Sequence, residues 1–129
     1  MKKAAAFALT AVLMIATPSI AHAKSYKHKA PSVTSVSVVS CSQVKVTWKR
    51  TGDFTTVNYS RSSSFGSGEH LSWFPREYGA KEAVRRATTT TVSHLRPGKT
   101  YHFRVFASTY AGVRESKYSS AKSITLPTC

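Results

Sequence analysis

The sequence predicts an all-β domain, a sandwich or barrel of six or seven short strands. Apolar and polar residues alternate with a period of two in several short runs, which is the pattern of a half-buried strand. Clusters of Gly, Ser, Asp and Pro separate these runs and indicate turns. Strand-like and helix-like segments do not alternate along the chain, and this excludes the dinucleotide-binding folds.

Residues 1–23, MKKAAAFALTAVLMIATPSIAHA, are typical of a secretory signal peptide. Two lysines precede an apolar stretch that is short for a membrane span, and small residues close it. We therefore expect a secreted protein, extracellular or periplasmic, that begins at Lys24 and has no transmembrane segment. Residues 24–30, KSYKHKA, lack an apolar period and predict a flexible basic arm. The folded domain is expected over residues 31–129.

The strand pattern recurs at residues 43–50, 55–60, 70–75, 88–95 and 120–127. In the first of these runs, QVKVTWKR, the side chains of Val44, Val46 and Trp48 share one face. The run TTTTVSHL is rich in β-branched residues, which suit a pleated sheet. Residues 76–87, REYGAKEAVRRA, depart from the pattern. Their helix formers predict a turn of helix or an irregular loop.

The stretch LRPGKTYHFRVFA, residues 95–107, predicts a tyrosine corner. Leu95 packs inward at the end of one strand, RPGK carries the chain to the opposite sheet, and Tyr101 begins the next strand. We expect the Tyr101 hydroxyl to satisfy a backbone carbonyl of the crossing. In the strand that follows, Tyr101, Phe103, Val105 and Ala107 are expected in the core, and His102, Arg104 and Phe106 in solvent.

The chain contains two cysteines, Cys41 and Cys129. Export places them in an oxidising compartment, where pairing is the default, so we predict a disulfide between them. On the chain-entropy account, so long a loop stabilises the fold by about 4 to 5 kcal/mol at most.

Taken together, the Trp48 strand, the VNY strand, LRPGKTYHFRVFA and the pair Ala111 and Gly112 resemble a fibronectin type III domain from Pro31 to Pro127. The resemblance implies an immunoglobulin-like sandwich of about seven antiparallel strands, with Trp48, Leu95 and Tyr101 as structural residues. It also implies that Cys41 and Cys129 lie at the same pole. The chain departs from the family in having this disulfide. It also lacks an RGD motif in the loop STYAGVRES, so integrin adhesion is not implied.

Catalysis is not expected. The five acidic residues are scattered through turns and loops, and no pair has the spacing of a shared acid–base site. The histidines and cysteines lack metal-ligand spacing, so neither a metal nor another cofactor is predicted.

Charge is the strongest remaining signal. Without the leader, 17 Lys and Arg face 5 Asp and Glu, a net charge of +12. A positive field attracts anionic partners, although it can also serve solubility alone. Aromatic and guanidinium groups beside each other can stack on sugars or bases. The candidate binding residues are Trp73, Arg76, Arg85, Arg86, Arg104, Tyr110 and Arg114.

These observations favour a secreted, monomeric, non-catalytic binding module. Its expected partner is an anionic polymer, such as an envelope phosphate polymer, a glycan or a nucleic acid, or else a cell-surface protein. The alternative hypothesis is a cationic antibacterial effector that acts on target-cell envelopes. Against it, no amphipathic helix with a large apolar face is visible. A small-ligand or redox scavenger has no supporting signature.

Overall fold

A computed structural model describes residues 25–65 and 77–129. These residues form seven strands, and the all-β prediction is confirmed. The strands are β1 (Ser32–Ser40), β2 (Gln43–Lys49), β3 (Phe54–Ser60), β4 (Tyr78–Glu82), β5 (Thr89–Val92), β6 (Thr100–Ser108) and β7 (Lys122–Thr125). All neighbouring strands pair antiparallel, in a three-stranded sheet of order β1-β2-β5 and a four-stranded sheet of order β4-β3-β6-β7.

The core lies between the two sheets because both inner faces follow the predicted alternation. Val44 and Val46 of β2 are fully buried and Trp48 nearly so, and they face the inward side chains of β6. Tyr101, Phe103 and Val105 are likewise inaccessible to solvent. Burial of such side chains is the main favourable term in folding, at roughly 1.5 to 3 kcal/mol each.

Of the segment predicted as a helical turn or irregular loop, residues 78–82 form β4 instead, whereas residues 83–87 are an irregular loop as predicted. All five residues of β4 pair with residues 56–60 of β3, and Gly79 lies opposite Tyr59. A Cβ at position 79 would lie 2.6 Å from the Tyr59 hydroxyl, so the close approach of the strands requires glycine there. Pairing with a central strand outweighs the helix propensity of these residues, which is worth only tenths of a kcal/mol each.

The outer face of the four-stranded sheet is covered, and this corrects a prediction for β6. Phe106 is buried, and His102 and Arg104 are partly buried, although all three were expected in solvent. On the neighbouring strand, Thr56 and Asn58 are buried as well. The reason is that chain outside the two sheets packs across the central strands on this side.

The tyrosine corner is present at the crossing between the sheets. The Tyr101 hydroxyl accepts a hydrogen bond from the Arg96 amide at 2.8 Å, so it bonds the backbone of the crossing as predicted. Gly98 adopts a φ of 75°, which favours glycine, and its amide donates to the Pro127 carbonyl. The corner therefore also holds the C-terminal segment.

The disulfide between Cys41 and Cys129 is confirmed, with the two Cα atoms 5.6 Å apart. It joins the turn between β1 and β2 to the segment that follows β7, at the pole that the resemblance implied. The two cysteines are separated by 88 positions in sequence.

Several predictions concern residues outside the described part of the chain, namely the signal peptide of residues 1–23 and the strand at residues 70–75. The arm is described from Ser25. Its His28 amide donates to the Glu115 carbonyl at 3.0 Å, and its Lys29 carbonyl accepts from the Thr51 hydroxyl at 2.6 Å. The flexibility of the arm stays a prediction.

Candidate functional site

Three loops meet at the end of the sandwich opposite the disulfide, and we call this end the loop pole. They are residues 50–53 between β2 and β3, residues 83–88 between β4 and β5, and residues 109–114 after β6. The Arg86 amide donates to the Asp53 carbonyl at 2.6 Å, which joins the first two loops. The rings of Phe54 and Tyr110 lie 6.4 Å apart between centroids, which brings the third loop beside the first.

The loop pole exposes apolar side chains. Val84 and Tyr110 are each 77% exposed and Val113 is 63% exposed. An isolated exposed valine needs no explanation, but apolar groups on converging loops are typical of interaction surfaces. Tyrosine contributes a large contact area at a small entropic cost.

Arginine side chains flank these apolar groups and share one acid. Arg85 Nη2 lies 3.1 Å from Asp53 Oδ2, and Arg86 Nε lies 3.5 Å from Asp53 Oδ1. The hydrogen bond from Arg85 lowers the pKa of the Asp53 carboxyl below its ordinary value. Both guanidinium groups stay more than half exposed. Ion pairs this exposed add little to the stability of the fold. A partner can therefore contact the two guanidinium groups, or displace them from Asp53, at little cost to the fold.

Arg86 also has an unusual backbone. Its φ is 63°, in the left-handed region that residues with a side chain rarely adopt. The Asp53 carbonyl holds this conformation through the Arg86 amide. Strained residues of this kind cluster at ligand-contacting loops.

A groove of about 550 Å³ runs between the arm and the first and third loops. Basic and acidic side chains both line it, and the Tyr110 ring forms part of its wall. The charged and polarisable side chains that line it include Lys27, His28, Arg50, Asp53 and Glu115. The groove therefore offers paired donors and acceptors and is not a purely cationic site.

Beside the loop pole, a stack of rings and guanidinium groups crosses the outer face of β6. The Arg104 guanidinium carbon lies 4.1 Å from the centroid of Phe65 and 3.6 Å from that of Tyr118. Arg114 lies 4.3 Å from the Tyr118 centroid and 4.9 Å from that of Tyr26 in the arm. Each contact is a cation–π interaction worth about 0.5 to 2 kcal/mol.

Two serines position Tyr118 in this stack. The hydroxyl of Ser116 accepts from the Ala107 amide at 2.8 Å, and that of Ser119 accepts from the Val105 amide at 2.9 Å. These hydroxyls take the place of strand carbonyls along the edge of β6, so residues 114–119 follow that edge before β7 begins. Tyr118 is thereby held over the sheet.

Arg104 differs from the other predicted binding residues. Two aromatic rings, Phe65 and Tyr118, lie against its guanidinium group, and its Nε donates to Asn58 Oδ1 at 3.0 Å. Burial lowers the pKa of this guanidinium below its ordinary value. This geometry assigns Arg104 to the packing of the outer layer.

Four of the predicted binding residues lie at or beside the loop pole: Arg85, Arg86, Tyr110 and Arg114. The two arginines of the second loop are distant in sequence from the other two residues, so the sequence did not predict that all four lie together. Trp73 and Arg76 lie outside the described residues. Sequence reasoning missed Val84 and Asp53. For Val84 a signal existed, because it is the only large apolar residue in the charged run KEAVRR.

Within residues 25–65 and 77–129, no group of three or more His, Cys, Asp or Glu side chains could hold a metal ion. The same residues contain no helix with the length and apolar character to cross a membrane.

Comparison with solved structures supports the fold. The FN5 domain of Drosophila Lar is 19% identical, with a TM-score of 0.57 over 78% of this chain and 97% of that one. The chicken CNTN1 FN1-FN3 domains are 20% identical, with a TM-score of 0.56 over 77% of this chain and 33% of that one. A structure described as a myokine is 17% identical, with a TM-score of 0.53 over 77% and 97%.

A comparison with curated protein sequences gave no match. The family model described as fibronectin type III domain matches residues 29–122, which is most of the chain. With the two sheets, the tyrosine corner and the strand order, this match shows that the chain belongs to the fibronectin type III domain family.

Proposed function

We propose that this protein is a secreted, non-catalytic binding module that contacts a protein partner through its loop pole. Fibronectin type III domains are generally binding or scaffold modules. The observation that carries the proposal is the exposure of Val84, Tyr110 and Val113 on loops that also bear arginine side chains. Aromatic and arginine side chains are the residue types that dominate protein interfaces.

Between the two partner classes expected from the sequence, the loop pole favours a protein. An anionic polymer favours a surface without acids, whereas the loop pole combines exposed apolar side chains with the carboxylate of Asp53. Arg85 and Arg86 lie beside Asp53 with more than half of each side chain exposed, so each guanidinium group is accessible to a carboxylate on the partner. A partner surface with apolar groups and acidic residues fits this arrangement.

Secretion is supported by the character of residues 1–23 and by the disulfide, because disulfides persist in oxidising compartments. Export is tested by purifying the protein from the medium or periplasm of expressing cells and measuring its mass. A chain that begins at Lys24 and carries an oxidised cysteine pair is expected. A chain that retains residues 1–23 contradicts the proposal.

The loop pole is tested by replacing Tyr110 with a photo-crosslinking phenylalanine analogue in the cells that express the protein. The matched control carries the analogue at Lys99, an exposed position in the loop at the disulfide end. We expect one discrete adduct from position 110 and none from position 99. A further Val113→Asp substitution should abolish the adduct, because it places a charge in the apolar part of the surface.

Adducts of equal yield from both positions, or an adduct that survives Val113→Asp, would show that the loop pole does not recognise the partner. Val113 is exposed, so its substitution is expected to leave the fold unchanged. An unchanged unfolding midpoint verifies this.

A further inference from the structure

The outer face of the β1-β2-β5 sheet carries hydroxyl and ammonium groups in rows across the strands. The register places Ser35 opposite Thr47, and Thr47 opposite Thr89, and the last two hydroxyl oxygens lie 3.3 Å apart. In the next row, Ser37 lies opposite Lys45. We call these residues together with Lys49 the hydroxyl–lysine face. They alternate with the buried Val44, Val46 and Trp48, so they point away from the core.

The three strands of this sheet, which the structure describes in full, contain no Asp or Glu. The nearest acid in sequence is Asp53, and Arg85 and Arg86 bind its carboxylate. Lys45 and Lys49 are exposed, and the Lys81 ammonium reaches the edge of β5, where it donates to the Thr91 carbonyl at 3.1 Å. Because the three strands carry no acidic side chain that could neutralise these ammonium groups, the charge of the face is complementary to an anion.

We infer that the hydroxyl–lysine face is a second binding surface, specific for a linear polymer of linked phosphate groups. Lysine binds phosphate as a compact point charge, and hydroxyl groups donate hydrogen bonds to phosphate oxygens. Lys45 and Lys49 lie on one side of one strand, about 13 Å apart at roughly 3.3 Å per residue, so a single extended chain can contact both.

The three strands of this sheet carry no outward-facing aromatic side chain, and this selects among anionic polymers. Trp48 is the only aromatic residue of the three strands, and it lies in the core. Proteins that bind single-stranded nucleic acid stack bases on exposed rings, and the strands β1, β2 and β5 offer no such ring. Recognition therefore rests on the phosphate groups themselves and not on rings attached to them.

This surface is distinct from the loop pole and goes beyond the function proposed above. Among the residues of these three strands, the exposed large apolar side chains are Val38 and Val39, at the disulfide end of β1 and away from Lys45 and Lys49. The two surfaces can therefore be altered separately, and the failure of one proposal leaves the other standing.

The test measures binding of the mature protein to long-chain inorganic polyphosphate at several salt concentrations. The variant is Lys45→Glu with Lys49→Glu. The matched control is Lys99→Glu with Lys122→Glu, which changes net charge equally at exposed positions outside this sheet. We expect affinity to fall linearly with salt on logarithmic axes. The face variant should lose about tenfold or more, and the control less than about threefold, because salt screens charges beyond about 10 Å.

Unfolding midpoints of both variants verify folding. If the charge reversals on β2 prevent folding, the neutral variant Lys45→Gln with Lys49→Gln replaces them. This variant should lose about threefold or more in affinity for polyphosphate. Its control, Lys99→Gln with Lys122→Gln, should bind with unchanged affinity. Tyr110→Ala should leave polyphosphate binding unchanged.

Equal losses in the face variant and its control would overturn the inference, because binding would then depend on net charge alone. Tighter binding to a sulfated glycan or to single-stranded DNA than to polyphosphate, lost in the face variant, would overturn the choice of phosphate polymer. Absence of polyphosphate binding at low salt would overturn the inference entirely.

Discussion

Thr55 and Thr56 are consecutive residues of β3, and both are almost fully buried. Their hydroxyl groups differ in hydrogen bonding. The Thr56 hydroxyl lies 2.9 Å from that of Ser108, on the covered outer face. The Thr55 hydroxyl, on the inner face, has no hydrogen-bond partner among residues 25–65 and 77–129. A buried polar group without a partner costs about 1 to 3 kcal/mol.

Thr55→Val should therefore stabilise the fold by about 1 kcal/mol, since valine keeps the shape and β-branching while removing the unsatisfied hydroxyl. Thr56→Val, which leaves the Ser108 hydroxyl without this partner, should destabilise it by about the same amount. Denaturant unfolding monitored by tryptophan fluorescence measures both. A destabilised Thr55→Val variant would mean that the inner hydroxyl is satisfied.

At the same scale, burial raises the pKa of the Tyr59 and Tyr101 phenols. A raised pKa in the fold means that the unfolded chain loses its phenol protons first. The free energy of unfolding contributed by these residues is fully present below about pH 10, the ordinary tyrosine pKa, and is lost as pH rises through the folded values.

Two of the six tyrosines should thus resist ionisation in the folded protein until alkaline unfolding begins. Tyrosinate absorbance during an alkaline titration measures this, with circular dichroism as the probe of folding. Tyr59→Phe should remove one late-ionising group. Ionisation of all six tyrosines ahead of the folding signal would contradict the expected direction.

At the scale of elements, the segment of residues 114–119 acts as a strap over the four-stranded sheet. Tyr118 contacts Arg104 and Arg114 and also meets Phe106 edge-on, with ring centroids 5.4 Å apart. The strap therefore stabilises the outer layer through one aromatic ring.

Tyr118→Ala should lower the free energy of unfolding by about 1 to 3 kcal/mol, from the lost cation–π and aromatic contacts. The matched substitution is Tyr110→Ala, at a ring that is 77% exposed, and it should change stability by less than about 0.5 kcal/mol. Urea unfolding of the two variants provides the comparison. If the two variants are equally stable, the strap does not stabilise the outer layer through Tyr118.

The same elements show how far the sequence could predict the fold. The inward faces of β2 and β6 were predicted correctly, because alternation reports one buried face directly. Alternation also implies that the other face meets water, so it could not predict that Phe65 and Tyr118 cover Arg104. The short strand β4 was missed because its pairing with β3 is a non-local property that outweighs local propensity.

The candidate site was predictable to a similar extent. Arg85, Arg86 and Tyr110 were found from residue type alone, since charged and aromatic residues in loops are conspicuous. Their association was not, because Asp53 lies 32 positions before Arg85 and no local pattern connects the two. The arrangement depends on strands that bring three separate loops together.

For the whole molecule, the disulfide is the dominant single covalent constraint. Replacing both cysteines by serine should lower the free energy of unfolding by as much as about 4 to 5 kcal/mol, because the unfolded chain regains the freedom of a long loop. Denaturant midpoints of this variant and of the reduced parent protein measure the change, and the two should agree. A midpoint that is unaffected by reductant would contradict a stabilising bond.

The position of this bond also determines how the molecule responds to mechanical force. Tension applied between residue 25 and residue 129 passes from Cys129 directly to Cys41, so residues 42–128 are shielded from it. Only residues 25–41 can be stretched, to a length of about 60 Å at roughly 3.5 Å per residue, instead of about 370 Å for residues 25–129. Under load, β1 can peel away while the other six strands remain within an unstretched loop.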